Sequence, residues 1–147
     1  MQLSDSFTVK ASLEEVWQFM FDVERMGACV PGVESIEMLD DKTYRGVLKI
    51  RVGPISASFA GKVTLTEVEA PQRVTALIEG DDKSIASTVR ATFTSTLAAI
   101  EGGVEISYQM DVNLRGRLAQ FGAAVVGATA KRMTAEFAKN VKAQLES

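Results

Sequence analysis

The segment from Val104 to Arg115 alternates without a break. Val104, Ile106, Tyr108, Met110, Val112 and Leu114 interleave with Glu105, Ser107, Gln109, Asp111, Asn113 and Arg115. A side-chain period of two is that of a strand with one apolar and one polar face. The strand runs through Gly116 into a proline-free, apolar-periodic stretch, Leu118 to Leu145. That stretch predicts one long helix, roughly 40 Å if unbroken at ~1.5 Å per residue. A sheet with one apolar face and a helix long enough to cross it enclose an apolar interior. The chain has no histidine and one cysteine, so it is better equipped to enclose than to catalyse.

The rest of the chain supplies the sheet. Leu3–Val9 reads as a first strand. Ser12-Leu13-Glu14-Glu15 is a capping-box pattern, with Ser12 and Glu15 exchanging backbone hydrogen bonds. Leu13, Val16, Trp17, Met20 and Phe21 follow at helical spacing, with Trp17 and Phe21 as the expected core anchors. A second short helical turn over Glu24–Ala28 ends at Pro31-Gly32. Hairpin signals then follow one another: strands at Val33–Leu39, Thr43–Val52, Ile55–Val68, Arg73–Gly80 and Ser84–Leu97 precede the last strand. Asp40-Asp41-Lys42, Gly53-Pro54, Pro71, Asp81-Asp82-Lys83 and Gly102-Gly103 supply the turns. The reading is an α+β domain spanning 1–147, with a curved antiparallel sheet of six to seven strands wrapped on the C-terminal helix.

Parity places Leu48, Ile50, Phe59, Val63, Ala76, Ile78, Ala91, Phe93, Tyr108 and Met110 on the concave face. Helical spacing adds Phe121, Val125, Met133 and Phe137 from the helix. These fourteen residues are the expected ligand-binding wall. Gly46, Gly61, Ala76 and Ala91 leave room among the larger side chains, with further room expected near Gly122, Ala128 and Ala130. Tyr108 brings a polar tip and Met110 an adaptable filler. Close packing or a bend is expected at Gly122 and Gly127, since glycine is costly inside a helix.

Catalytic and metal chemistry find little to work with. A metal set needs several converging His, Cys or carboxylate ligands. The two Asp pairs, Asp40-Asp41 and Asp81-Asp82, both read as turn residues. No histidine-based triad can be built, and no phosphate-binding glycine loop occurs. No cofactor is expected. A net charge of −3 argues against nucleic acid. The charge is uneven: residues 115–147 carry six basic and two acidic residues, a balance of +4, leaving −7 for the rest. Such a helix suits a peripheral contact with an anionic membrane face, or a solvated face complementing the helix dipole. The N-terminus lacks a signal-peptide pattern, and no apolar run approaches ~20 residues. With one cysteine, the expected location is cytoplasmic.

Three segments carry a family resemblance: Val9-Lys10-Ala11-Ser12-Leu13-Glu14-Glu15-Val16-Trp17 with Cys29-Val30-Pro31-Gly32-Val33-Glu34; Val52-Gly53-Pro54-Ile55 with Phe59-Ala60-Gly61-Lys62-Val63; and Gly116-Arg117-Leu118-Ala119-Gln120-Phe121-Gly122. In this order they resemble the carbon monoxide dehydrogenase CoxG family, within the START/polyketide-cyclase (SRPBCC) superfamily of helix-grip folds. Where family members often carry several glycines, this chain has Lys83 to Thr92 with side chains, which should narrow the cavity. The resemblance implies a non-catalytic accessory role. The chain would serve a molybdenum-containing CO dehydrogenase or related hydroxylase, as a carrier of a quinone- or lipid-like molecule or as a membrane recruiter. Two other readings stand beside it. One is a cyclase-type enzyme using Tyr108, Arg90 or Cys29. The other is a protein-binding adaptor with a filled core.

Overall fold

The computed structural model describes residues 1–146. Seven strands form one antiparallel sheet: β1 (Gln2–Val9), β2 (Val33–Met38), β3 (Thr43–Val52), β4 (Ile55–Glu69), β5 (Arg73–Asp82), β6 (Ser87–Ile100) and β7 (Gly103–Gly116). The spatial order is β1-β7-β6-β5-β4-β3-β2, so β2 to β7 form a meander and β1 adds to its last strand. Helices α1 (Leu13–Met20) and α2 (Val23–Cys29) fill the connection between β1 and β2, and α3 (Gly122–Leu145) crosses the concave face. This is the expected helix-grip arrangement. Among the described residues no helix is long and apolar enough to cross a membrane.

Local signals account for most of these elements. Ser12 Oγ accepts from the Glu15 amide at 3.2 Å, and Glu15 accepts from the Ser12 amide at 3.3 Å, completing the capping box of α1. Asp22 caps α2 by accepting from the Arg25 amide. The strict alternation of β7 is locked by its neighbours: Tyr108 faces Asp5 on β1 and Ser95 on β6, while Met110 faces Leu3 and Phe93. A slip of one residue would turn every apolar side chain outward.

Four expectations are corrected. The helix is not continuous from Leu118: Arg117–Phe121 form a tight 3-10 turn, and α3 opens only at Gly122, whose φ of +80° breaks the run. Gly127 meets nothing within 4 Å of an added Cβ, so close packing does not explain it. The buried anchors of α1 are Val16 and Phe19, not Trp17 and Phe21. Trp17 and Phe21 are half-buried and meet edge-on, 4.9 Å between ring centres. Phe19 is 2% exposed, with the Arg25 guanidinium 5.0 Å over its ring. Finally, Lys83–Ile85 form a turn rather than the start of a strand, and Ala86 takes a left-handed conformation before β6 begins at Ser87.

Gly46 and Gly61 do not provide room in the interior. They pair with each other across β3 and β4, and Gly61 pairs with Gly80 on β5. An added Cβ would stand 2.4 Å from the Ser35 carbonyl oxygen at Gly46 and 2.6 Å from that of Glu79 at Gly61. Neighbouring backbone crowds into the space, which marks a sharp bend of the sheet along this row.

Candidate functional site

The concave side holds two apolar bodies, and only one of them is hollow. At the end near the β3–β4 turn, Val52, Ala57, Phe59 and Leu118 form a buried cluster. Ile50, Ile55, Ile85, Val89, Phe121, Val125 and Val126 pack against it. Of the expected binding wall, Ile50, Phe59, Phe121 and Val125 therefore belong to a plug. Leu48 and Ala91 also lie off the cavity: Leu48 is half-buried opposite Phe59, and Ala91 is buried between Ile78 and Val112. Helical spacing identifies the inward face of α3 but not where along its length the packing closes.

Beyond the plug, toward α1 and α2, lies a cavity of about 380 Å³. Eight of the fourteen expected residues line it: Val63, Ala76, Ile78, Phe93, Tyr108, Met110, Met133 and Phe137. The sheet contributes the first six, and α3 contributes Met133 and Phe137 with Thr134 and Val141 at the same spacing. Phe137 meets Phe7 of β1 edge-on at 6.3 Å. Phe93 and Tyr108 stack at 6.1 Å with their planes 24° apart.

The remaining wall comes from residues the sequence reading did not select. Phe19, Met20 and Phe21 from α1 and its end, and Val23 and Met26 from α2, roof the space. Val30 and Pro31 continue it toward β2, and Tyr44 and Ser95 join from the sheet. Two methionines in a short helical connection were the available signal, since Met fills adaptable surfaces. For Ser95 the signal was a polar residue at inward parity between Phe93 and Leu97. Beside β2 the cavity meets solvent. Ile36 lines it and is 37% exposed, and Met38, which pairs with Tyr44 and so shares its face, is 57% exposed.

No lining residue carries a formal charge. The polar groups are the hydroxyls of Tyr44, Ser95, Tyr108 and Thr134. Burial pushes the Tyr108 hydroxyl above its ordinary range, while a hydrogen bond to the Thr134 side chain pulls the other way. Burial raises Tyr44 likewise, reinforced by Asp41. Both are neutral hydrogen-bonding groups at physiological pH. Thr134 Oγ also donates to the Ala130 carbonyl at 2.8 Å.

Of the three groups a cyclase mechanism would call on, only Tyr108 lines the cavity. Arg90 lies on the outer face of the sheet. Cys29, the last residue of α2, is sealed in the core cluster, and burial pushes its thiol up against a smaller opposing pull from Arg25. Among the described residues no three His, Cys, Asp or Glu side chains gather as a metal set would. Asp40 accepts from the Lys42 amide within its turn, whereas Asp81 and Asp82 end strand β5 rather than forming a turn, and Asp82 accepts from the Ser84 hydroxyl and from the Ser58 amide of β4.

A wider depression of about 1200 Å³ lies over the glycine row on the outer face, where Arg45, Lys62, Glu79, Arg90 and Arg115 line it. It is an open, charged surface in which Arg45 pairs with Glu37. It does not enclose apolar matter as the inner cavity does.

The family model for the CoxG subunit of carbon monoxide dehydrogenase matches residues 6–146. The chain belongs to the CoxG family. Solved structures share its fold at low identity. A conserved protein from Geobacillus kaustophilus superposes with a TM-score of 0.91 at 21% identity, covering 99% of this CoxG chain and 95% of that one. A START superfamily protein from Mycobacterium smegmatis gives 0.75 at 14% identity, covering 99% and 97%. The Zhui aromatase/cyclase from Streptomyces sp. R1128 gives 0.74 at 14% identity, covering 99% and 93%. No curated protein matches the sequence. Family and fold together support an accessory or ligand-binding role for this CoxG protein.

Proposed function

We propose that this CoxG protein is a non-catalytic carrier. It binds a lipophilic, quinone- or lipid-like molecule between the sheet, the α1–α2 roof and α3. It serves a molybdenum-containing CO dehydrogenase or related hydroxylase, and it works at the cytoplasmic membrane face through peripheral contact of its basic C-terminal helix. The observation that carries the reading is the cavity of about 380 Å³ with no charged residue in its wall. A volume of that order is within the range of small-molecule sites. Water gains little in such a space, whereas apolar surface moved into it contributes ~25 cal/mol per Å². Family membership supports the assignment to the dehydrogenase system.

The test is mass spectrometry of organic extracts from protein purified out of its native host. The carrier reading expects a lipophilic molecule in near-stoichiometric amount, lost when Ala76 is enlarged to fill the cavity. An extract free of such a molecule, with no uptake of added apolar probes, would leave the adaptor with a filled core as the better account.

A further inference from the structure

The four hydroxyls of the cavity are not equivalent. The Thr134 hydroxyl donates to the Ala130 carbonyl of its own helix at 2.8 Å, and Tyr108 has Thr134 beside it as the side chain that offsets part of its shift. Tyr44 is half-buried beside the exposed β2 edge, within reach of water. Ser95 is different. It sits mid-strand on β6, between Val74 of β5 and Tyr108 of β7, and is 3% exposed. Its hydroxyl lines the cavity and bonds to no other described residue. The residue is buried but its oxygen opens onto the cavity, so its hydrogen bond is left for whatever occupies that space.

We propose that Ser95 selects the ligand of this cavity, and that the ligand is an uncharged lipophile bearing a hydrogen-bonding oxygen, such as a ketone, quinone or alcohol. This rests on the carrier reading and narrows it. The Ser95 hydroxyl supplies the bond the protein leaves unmade, and the stacked Phe93–Tyr108 pair lies against the same spot. Carboxylates and phosphates are excluded by the same wall. No Lys, Arg or His lines it to balance an anion, and burying an unpaired anion is far costlier than burying a neutral oxygen. Asp5, which pairs with Tyr108 from β1, is acidic and exposed, so it offers an anion no balance.

The experiment displaces N-phenyl-1-naphthylamine fluorescence from the full chain with four competitors of one skeleton: naphthalene, 1-naphthol, 1,4-naphthoquinone and 1-naphthoate. The parent is expected to favour naphthol and naphthoquinone over naphthalene by about five- to tenfold, the size of one neutral hydrogen bond. Naphthoate should bind more weakly than naphthalene. Ser95→Ala should erase the preference while leaving the thermal midpoint of the free protein unchanged or higher, and Ser95→Thr should keep much of it. An unchanged preference in Ser95→Ala, naphthoate binding as tightly as naphthoquinone, or a marked loss of stability in Ser95→Ala would each overturn the assignment. A parent that takes up none of the four competitors nor the dye would remove the carrier reading itself, and this inference with it.

Discussion

The Leu118 amide donates to Ser87 Oγ at 3.1 Å, and both residues are sealed from solvent. Ser87 Oγ in turn donates to the Ile85 carbonyl at 3.3 Å. One hydroxyl thus ties the start of β6 to the turn that launches the gripping helix. Gly116 stands beside it at φ +88°, where an added Cβ would fall 1.7 Å from the Ala86 carbonyl oxygen. Ser87→Ala leaves a buried N–H without a partner, which costs about 1–3 kcal/mol. Chemical denaturation should show that loss. An unfolding midpoint equal to the parent's would mean that other contacts hold the junction.

Acid should loosen the same end of the fold. The Ser84 hydroxyl at 2.6 Å and the Ser58 amide at 2.8 Å hold the Asp82 carboxyl below its usual range. A carboxyl depressed in the folded state stabilises above its unfolded value, about 3.9. That contribution fades as pH falls through the lower folded value. The stability gap between parent and Asp82→Asn should therefore be steady from neutral pH to about pH 4 and shrink below it. A gap that stays constant down to pH 2.5 would rule out the carboxylate as its source.

Two glycines should respond in opposite directions. Gly127 lies within α3 with open space around it, so Gly127→Ala should stabilise by about 0.5–1 kcal/mol. Gly61→Ala drives a Cβ against the Glu79 carbonyl and should destabilise. Thermal melts of both variants check the bend of the sheet. A harmless Gly61→Ala would show that the strands can part there.

What the sequence made legible follows from where its signals are local. The alternation of Val104–Arg115 set the face of β7, and the meander then placed Phe93, Ile78 and Val63 on the same side without further information. The capping box located the start of α1. The apolar arc of that helix, however, spans Phe19 as well as Leu13, Val16, Trp17, Met20 and Phe21. Which part of so wide an arc is buried depends on α2 and α3, which tertiary packing positions. Gly46 and Gly61 have inward parity, yet a bend of the sheet is a property of several strands together and leaves no periodic trace. Phe121 and Val125 carry the same helical spacing as Met133 and Phe137, so spacing alone could not separate plug from cavity.

Membrane contact, if it operates through α3, should be electrostatic. Arg132, Lys139 and Lys142 are exposed on it, and Arg132 also reaches the Arg51 carbonyl at 3.3 Å. Each basic residue near an anionic surface contributes ~1 kcal/mol within a Debye length of about 10 Å. Replacing all three with Gln should weaken binding to phosphatidylserine vesicles roughly a hundredfold at low salt, and added salt should reproduce the loss in the parent. Vesicle binding indifferent to both changes would assign recruitment to another surface.

The carrier account stands or falls on whether the space beside Ala76 takes up a lipophile. Ala76 is buried and lines the cavity, unlike Ala91, so Ala76→Phe fills the space directly. The decisive measurement is N-phenyl-1-naphthylamine titration of parent and Ala76→Phe, with thermal midpoints recorded in parallel. The account predicts saturable binding to the parent, its loss in the variant, and a free-protein midpoint that is unchanged or raised. A parent that binds no probe, with Ala76→Phe destabilised by the ~1–3 kcal/mol typical of overpacking a filled core, would contradict it.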